Sequence, residues 1–360
     1  MTRIVSVLVP RFNMLCLVSL LEPLRITNYL AQEPSYSFEF CSADGKDATA
    51  SNGMPVSCQP LPEKLERDSM ILLVGSWGAE HYDNPALLSW LRKQERLGVH
   101  LCAAEMAPYI FARAGLLNNR KATTHWAYLP GFQELFPKVR GVEQMYTIDG
   151  RIMTCAGSTG GIDFMLHHIR KEHGEILTRE VSDIIMHPIL REQDAPQRKS
   201  LGRSLDELPD VVGAAIKMIE ENISDPPQVP EIAEAVGLSQ RQLERRFNSS
   251  VGCSVVQFGL LMRLQHARVL LVSTTLAVRD VATASGFNSL SHFAYAFRNC
   301  FGRRPSDYRQ AWPEGMEVPS WPGSLSKYLE TLGVNQRLRA QNAGKAFDED
   351  LTRSATLDKT

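Results

Sequence analysis

The chain has no C-x-x-C pair, and its seven cysteines (Cys16, Cys41, Cys58, Cys102, Cys155, Cys253, Cys300) are odd in number and widely scattered. That scatter excludes a disulfide framework and a zinc site, and it fits reduced thiols in a cytoplasmic protein. Long apolar runs are also missing. Ile4 to Val9 is too short for the apolar region of a signal peptide, and Met14 to Leu24 is interrupted by Glu22 and Pro23. No run reaches the length of a membrane span, so no membrane partner is expected. Nor is there an excess of one charge: 39 Lys and Arg stand against 40 Asp and Glu, a formal net of −1. Such a total is silent about nucleic acid until it is resolved by region. What is present is ordinary for a globular chain, with 44% hydrophobic and 22% charged residues over 360, enough for two or three cores.

The first half alternates short apolar strands with helical patterns. Ile4–Val9, Phe38–Cys41, Met70–Val74 and Val99–Ala103 read as buried strands, the last followed by a helix through Ala114 that stops at Gly115. Met145–Ile148 and Arg151–Cys155 flank Asp149-Gly150, a hairpin turn signal. Ile162–Lys171 and Ile176–Arg191 read as helices. This alternation predicts an α/β domain over residues 1–191, a mostly parallel sheet flanked by helices. Residues 192–209 are polar, carry two prolines and lack apolar periodicity, which predicts a linker. Residues 210–312 are helical throughout, and 313–360 form a polar, Pro- and Gly-containing tail expected to be flexible.

The helical region contains an internal repeat. One copy runs Ile232-Ala-Glu-Ala-Val-Gly-Leu-Ser239, then Leu243, Phe247 and Gly252. The other runs Val281-Ala-Thr-Ala-Ser-Gly-Phe-Asn288, then Phe293, Phe297 and Gly302. A short helix ends on a glycine because the residue after it takes positive φ, which glycine reaches without strain. Ser239-x-x-Gln242 is a capping-box pattern for the next helix. On that helix Leu243 and Phe247 share a core face, while Gln240, Arg241, Glu244 and Arg245 share the other. An outward helix with nothing to bury has the geometry of a recognition helix. A single helical hairpin would look the same, but two copies in register argue for a double helix-turn-helix. From Ser239 to Trp312 there are ten Arg, no Lys and three acids, a local net of about +7. An arginine-only excess suits bidentate phosphate and guanine contacts.

With these residues in view, Ser239–Phe247, Arg263-Leu264, Ala267-Arg268, Gly286-Phe287, Ser291-His-Phe293 and Phe301-Gly-x-x-Pro-x-x-Tyr-Arg309 resemble the DNA-binding domain of AraC/XylS regulators. The resemblance implies two recognition helices in successive major-groove segments. By position, Arg241, Glu244 and Arg245 would read bases from the first, and Leu290, Ser291, Ala294 and Tyr295 would face DNA from the second. Two positions depart: Tyr295 stands where the family often has Arg, and Val255 where it often has Pro.

The first half resembles the PfpI-like, class I glutamine amidotransferase-like (flavodoxin-like) domain of the GlxA-like subgroup. The matching pieces are Glu22-Pro-Leu-Arg25 with Asn28, Ala114-Gly-Leu-Leu117, Ala122-Thr-Thr-His-Trp126, and Thr154-Cys-Ala-Gly157 leading into Gly161-Ile-Asp163. Such regulators respond to small nitrogenous metabolites, including amino acids and quaternary amines. The resemblance thus implies a sequence-specific activator of a catabolic operon, with promoter DNA, a small-molecule effector, RNA polymerase and a second copy of the chain as partners, and no cofactor or metal.

Catalytic relatives carry a nucleophilic Cys at a strand-to-helix elbow. Here that position is Glu105, and Cys102 falls three residues earlier, within the strand. The expectation is a site kept in shape and lost in chemistry. Glu22, Trp77, Glu105, His125 and Trp126 would line the old cleft and hold a cationic or amino-bearing effector, partly by cation–π contact. Three alternatives stand. Glu105 would be an ordinary acid at a helix start and the tryptophans core or interface residues, the domain would be an amidase or glyoxalase-like enzyme using Cys102 or Glu105 with His125, or it would be purely a dimerisation scaffold.

Overall fold

A computed structural model of the chain describes residues 1–31, 34–188, 190–197 and 209–309. The chain divides into two compact units, Met1–Arg198 and Lys199–Thr360.

The first unit opens with β1 (Thr2–Leu8), α1 (Met14–Leu30) and β2 (Tyr36–Ser42). Three two-residue strands follow, β3 (Ala48–Thr49), β4 (Pro55–Val56) and β5 (Gln59–Pro60), then β6 (Met70–Gly75), α2 (Pro85–Arg96), β7 (His100–Glu105) and α3 (Pro108–Arg113). The rest is β8 (Lys121–Ala122), α4 (Leu129–Leu135), β9 (Arg140–Gly141), β10 (Tyr146–Asp149), β11 (Ile152–Cys155), α5 (Gly160–His173) and α6 (Glu175–Ile185). The main sheet runs β10-β11-β7-β6-β1-β2-β5. Every pairing in it is parallel except β10 with β11, the hairpin closed by Gly150 at φ +64°.

Successive residues of each strand serve opposite faces. Val5, Val7, Ile71, Leu73, Leu101 and Ala103 enter one core, while Ile4, Leu8, Met70, Leu72, Cys102 and Ala104 enter the other. Helices cover both faces, so β6 is buried at every residue and reads as an unbroken apolar run. α1 continues straight through Pro23, because Cys16, Leu17, Leu20, Pro23 and Leu24 are all buried and packing outweighs the lost N–H. α6 ends earlier than its apolar pattern predicted. Met186 takes the left-handed conformation (φ 57°) two residues before Pro188, which disfavours helix at the residue preceding it.

The start of the expected linker is packed on the first unit. Met145 N donates to Gln193 O (3.1 Å), and the Gln197 side chain is held by four bonds described below. Just upstream, the fully buried Asp163 carboxylate accepts from Arg191 N (2.8 Å), Nε (2.9 Å) and Nη2 (2.6 Å) and pairs with His187 Nε2 (3.0 Å). The expected tail, 313–360, lies outside the described residues.

The second unit is helical over its described residues: α7 (Asp210–Glu221), α8 (Val229–Ala235), α9 (Gln240–Val251), α10 (Val255–Ser273), α11 (Val278–Ala284), α12 (Leu290–Phe301) and α13 (Pro305–Arg309). Two cores share α10. Val255 and Phe258 pack with α7, α8 and α9, whereas Leu264, Ala267, Leu270 and Leu271 pack with α11, α12 and α13. Among the described residues, Val255–Val272 is the one segment long and apolar enough to cross a membrane, and serving two cores accounts for that composition.

Candidate functional site

The carboxyl ends of β1, β6, β7 and β11 converge at one place. Asn13 follows β1, Trp77 follows β6, Glu105 ends β7, and Gly157-Ser158 follow β11. In open α/β sheets ligands bind outside such strand ends, beside the point where strand order reverses, here β1.

Glu105 has φ +63°, a left-handed conformation that costs a non-glycine residue about 1–3 kcal/mol. This is the elbow geometry. The side chain is 6% exposed and lodges where a Cβ on Gly157 (φ +83°) would stand. Its Oε1 accepts from Asn13 Nδ2 (3.2 Å), and its Oε2 accepts from Ser158 N (2.8 Å). Burial pushes its pKa up to about 7, the hydrogen bonds from Asn13 and Ser158 opposing the rise. A carboxyl poised near neutrality at the head of a cleft is a functional-site candidate with a physical basis.

His125 and Trp126 belong to the loop after β8, and that loop is fastened to the elbow. Thr124 Oγ1 donates to Glu105 O (2.6 Å), and His125 N donates to the same oxygen (3.0 Å). The His125 ring lies against Trp126 (5.5 Å between centroids), and burial drives its pKa down to about 4, so it stays neutral. Trp126 is 38% exposed, and Trp77 packs partly buried against the core. Glu22 is elsewhere. It pairs with Arg25 (2.7 Å) on α1, nine residues along the chain from Asn13, about 13 Å at 1.5 Å per residue. The expectation was that Glu22 lines the cleft with Glu105; the α1-side residue that hydrogen-bonds Glu105 is Asn13. Sequence reasoning passed over Asn13, whose one local signal is its N-cap position on α1.

Cys102 is fully buried in β7, and burial pushes its thiol well above the usual value. Among the described hydrogen bonds, His125 and Glu105 meet through backbone.

In the second unit each half is a helix-turn-helix. α8 turns at Gly237 (φ +68°) into α9, where Ser239 and Gln242 form the capping box (Ser239 N to Gln242 Oε1 3.0 Å). α11 turns at Gly286 (φ +74°) into α12, capped by Ser289. Leu243, Phe247, Phe293 and Phe297 are fully buried. The closing signature is structural: Gly302 (φ +73°) ends α12, Pro305 starts α13, and the buried Tyr308 ring meets Phe297 edge-on at 5.3 Å.

Gln240, Arg241 and Arg245 are exposed on α9; Ser291, Leu290 (43%) and Tyr295 (69%) are exposed on α12, with Ala294 half-buried. Glu244 differs. It is half-buried, and its Oε2 accepts from Val255 N (3.4 Å) at the start of α10. The arginine excess also divides. Arg241, Arg245, Arg246, Arg279, Arg298, Arg303 and Arg304 are exposed. Arg263 instead bonds Gly286 O (3.2 Å) with its guanidinium 4.9 Å over Phe287, and Arg268 is buried beside Phe301.

A mostly parallel sheet with a strand-end elbow, followed in the chain by a double helix-turn-helix with an arginine-bearing face, defines a DNA-binding regulator with an α/β first domain. Comparison with known proteins agrees. Residues 6–171 match the DJ-1/PfpI family and residues 232–311 match a helix-turn-helix domain. The chain is 33% identical over 319 residues to the HTH-type transcriptional regulator GbdR of Pseudomonas aeruginosa, covering 88% of this chain and 86% of that one. It is 35% identical over 321 residues to CdhR of the same species (88% and 94%), and 31% identical over 309 residues to GlxA of Rhizobium meliloti (86% and 95%). A solved AraC family regulator from Pseudomonas putida is also similar, at 21% identity over 51% of this chain and 100% of that one, with TM-score 0.47. The chain belongs to the AraC family of helix-turn-helix transcriptional regulators, in the group with a DJ-1/PfpI-like first domain.

Proposed function

We propose that this regulator activates a catabolic operon in response to a small nitrogenous metabolite, an amino acid or a quaternary amine, held at the Glu105 elbow without being turned over. The observation that carries this is the elbow itself, where a carboxyl replaces the thiol of catalytic relatives yet keeps the left-handed backbone and the buried setting. Once ionised, Glu105 is the anionic partner for an ammonium group, and Trp77, His125 and Trp126 offer rings around it. A carboxylate is no thiolate, and the Cys102 thiol is enclosed in the strand, which supports binding without catalysis. In this reading residues 1–191 sense and dimerise, 192–209 connect, 210–312 bind promoter DNA through Arg241 and Arg245 on α9 and Leu290, Ser291 and Tyr295 on α12, and 313–360 form a tail. RNA polymerase is the further partner, and the cytoplasm the compartment.

A calorimetric panel of amines and amino acids on the full chain tests the site. The expected result is one saturable ligand class whose affinity drops at least tenfold in Glu105→Gln. Equal affinities for both proteins would remove Glu105 from the site.

A further inference from the structure

Gln197 lies in the segment that sequence reasoning assigned to the linker, yet its side chain is fully engaged. Its Nε2 shares two N–H groups among three acceptors, Thr123 Oγ1 (2.9 Å), Thr124 O (2.8 Å) and Gln144 O (2.9 Å), and its Oε1 accepts from Trp126 N (2.7 Å). Three acceptors around one nitrogen and a single donor facing the oxygen fix the orientation of the amide, since the reverse placement would set like groups against each other. The receiving groups are firm. Thr123 and Thr124 are fully buried, Thr123 N is held by Thr154 Oγ1 (2.7 Å), and Thr123 Oγ1 donates to Gln144 O (2.8 Å). A further acceptor on the same residue, Gln144 Oε1, is buried with no hydrogen-bond partner among the described residues.

This is a binding site for a primary carboxamide, and its occupant is part of the chain. It sits on the loop whose next two residues are His125 and Trp126, and that loop is tied to the elbow by Thr124 Oγ1 and His125 N. We propose that Gln197 is an internal pseudo-ligand, and that a free small molecule bearing a primary carboxamide competes with it for Thr123, Thr124, Gln144 and Trp126, lifting residues 192–197 off the first unit. The inference rests on the reading of that unit as a sensing domain. It also sharpens the ligand class. A quaternary ammonium has no N–H to give to these oxygens, so it does not displace Gln197.

The probe is propionamide, the side chain of glutamine as a free molecule, with N,N-dimethylpropionamide as the control that keeps the carbonyl and loses both N–H groups. Hydrogen exchange of the full chain reads the strap directly. Propionamide is expected to speed exchange across residues 192–197 while 123–126 stay protected, and the dimethyl amide is expected to change neither. If the internal glutamine fills the site nine-tenths of the time, Gln197→Ala binds propionamide about tenfold more tightly than the parent chain. Gln197→Glu keeps the volume but sets oxygens against three acceptors, and is expected to behave like Gln197→Ala. Equal propionamide affinity in all three proteins, or no propionamide binding to any, overturns the proposal. If Glu105→Gln still weakens an ammonium ligand in that event, the sensing domain stands and only the pseudo-ligand falls. If neither variant alters any ligand's binding, the sensing reading falls with it.

Discussion

Glu105 should make the first unit lose stability as pH rises, and Glu105→Gln should remove that loss. The folded carboxyl titrates near 7, against an ordinary value of 4.5, because burial penalises its charge. The sign follows from proton binding. Between these two values the folded state holds a proton that the unfolded chain releases, so the stabilising effect of the proton is complete below 4.5 and is lost as pH climbs through 7. At 1.36 kcal/mol per pH unit, the ionisation cost is about 1 kcal/mol at pH 5 and about 3 kcal/mol at pH 8, a fall of roughly 2 kcal/mol. Glutamine cannot ionise. It has one acceptor where the carboxylate used two, toward Asn13 and Ser158, but that penalty does not vary with pH. The readable quantity is thus the slope of the difference between the two proteins. Denaturant unfolding followed by tryptophan emission isolates it in a Trp312→Phe, Trp321→Phe background, since the remaining Trp77, Trp90 and Trp126 all lie in the first unit. A difference that stays flat from pH 5 to pH 8 would refute the argument that burial governs Glu105.

Two further outcomes concern the helical unit. Arg245→Ala is expected to weaken operator binding by about 1–3 kcal/mol and to relax preference at one base step, whereas Tyr295→Ala costs less and removes an apolar contact such as one to a thymine methyl; binding assays on base-substituted operators check the order, and the reverse order would sink the division of labour between α9 and α12. Glu244 and Val255 should be coupled: a double-mutant cycle of Glu244→Ala with Val255→Pro is expected to give about 0.5–1.5 kcal/mol of interaction in unfolding free energy, because proline removes the N–H that Glu244 accepts, and a value indistinguishable from zero would return Glu244 to the base-reading face.

The layout of the chain was legible because strong periodicities and caps enforce it. The runs at Ile4, Met70 and Val99 became β1, β6 and β7, and Asp149-Gly150 became the hairpin turn. The repeat was legible for the same kind of reason: Gly237, Gly286 and Gly302 each need positive φ, and Ser239 needs Gln242. Glu105 could be located by counting back from Ala114-Gly-Leu-Leu117, because an elbow has a fixed place between strand and helix. Long-range geometry could not be read this way. Asn13 and Glu105 lie 92 residues apart, and no local pattern says that the residue after β1, rather than Glu22 farther along α1, meets the elbow. Gln197 was hidden for a different reason. A polar segment without apolar periodicity looks like a free linker, and the groups that hold it, on the loop at Thr123–Trp126 and at Gln144 and Met145, come together only in the fold.

The arginine count carries a similar lesson about which charges are available. A lysine-free excess reads as a phosphate-binding face, yet Arg263 and Arg268 are spent inside, on Gly286 O, Phe287 and Phe301. Both project from α10, which is shared by the two cores and is about 28 Å long at 1.5 Å per residue, close to the roughly 34 Å turn of DNA that separates successive major-groove segments on one face. Fixing α10 to the second helix-turn-helix fixes the spacing of α9 and α12, and spacing decides whether both helices reach the groove at once. The two internal arginines therefore hold the scaffold that spaces α9 and α12. The seven exposed ones are the charges left available at the surface. The Val255 departure belongs to the same framework, because a valine N–H at the head of α10 gives Glu244 a partner on the scaffold that a proline would deny it.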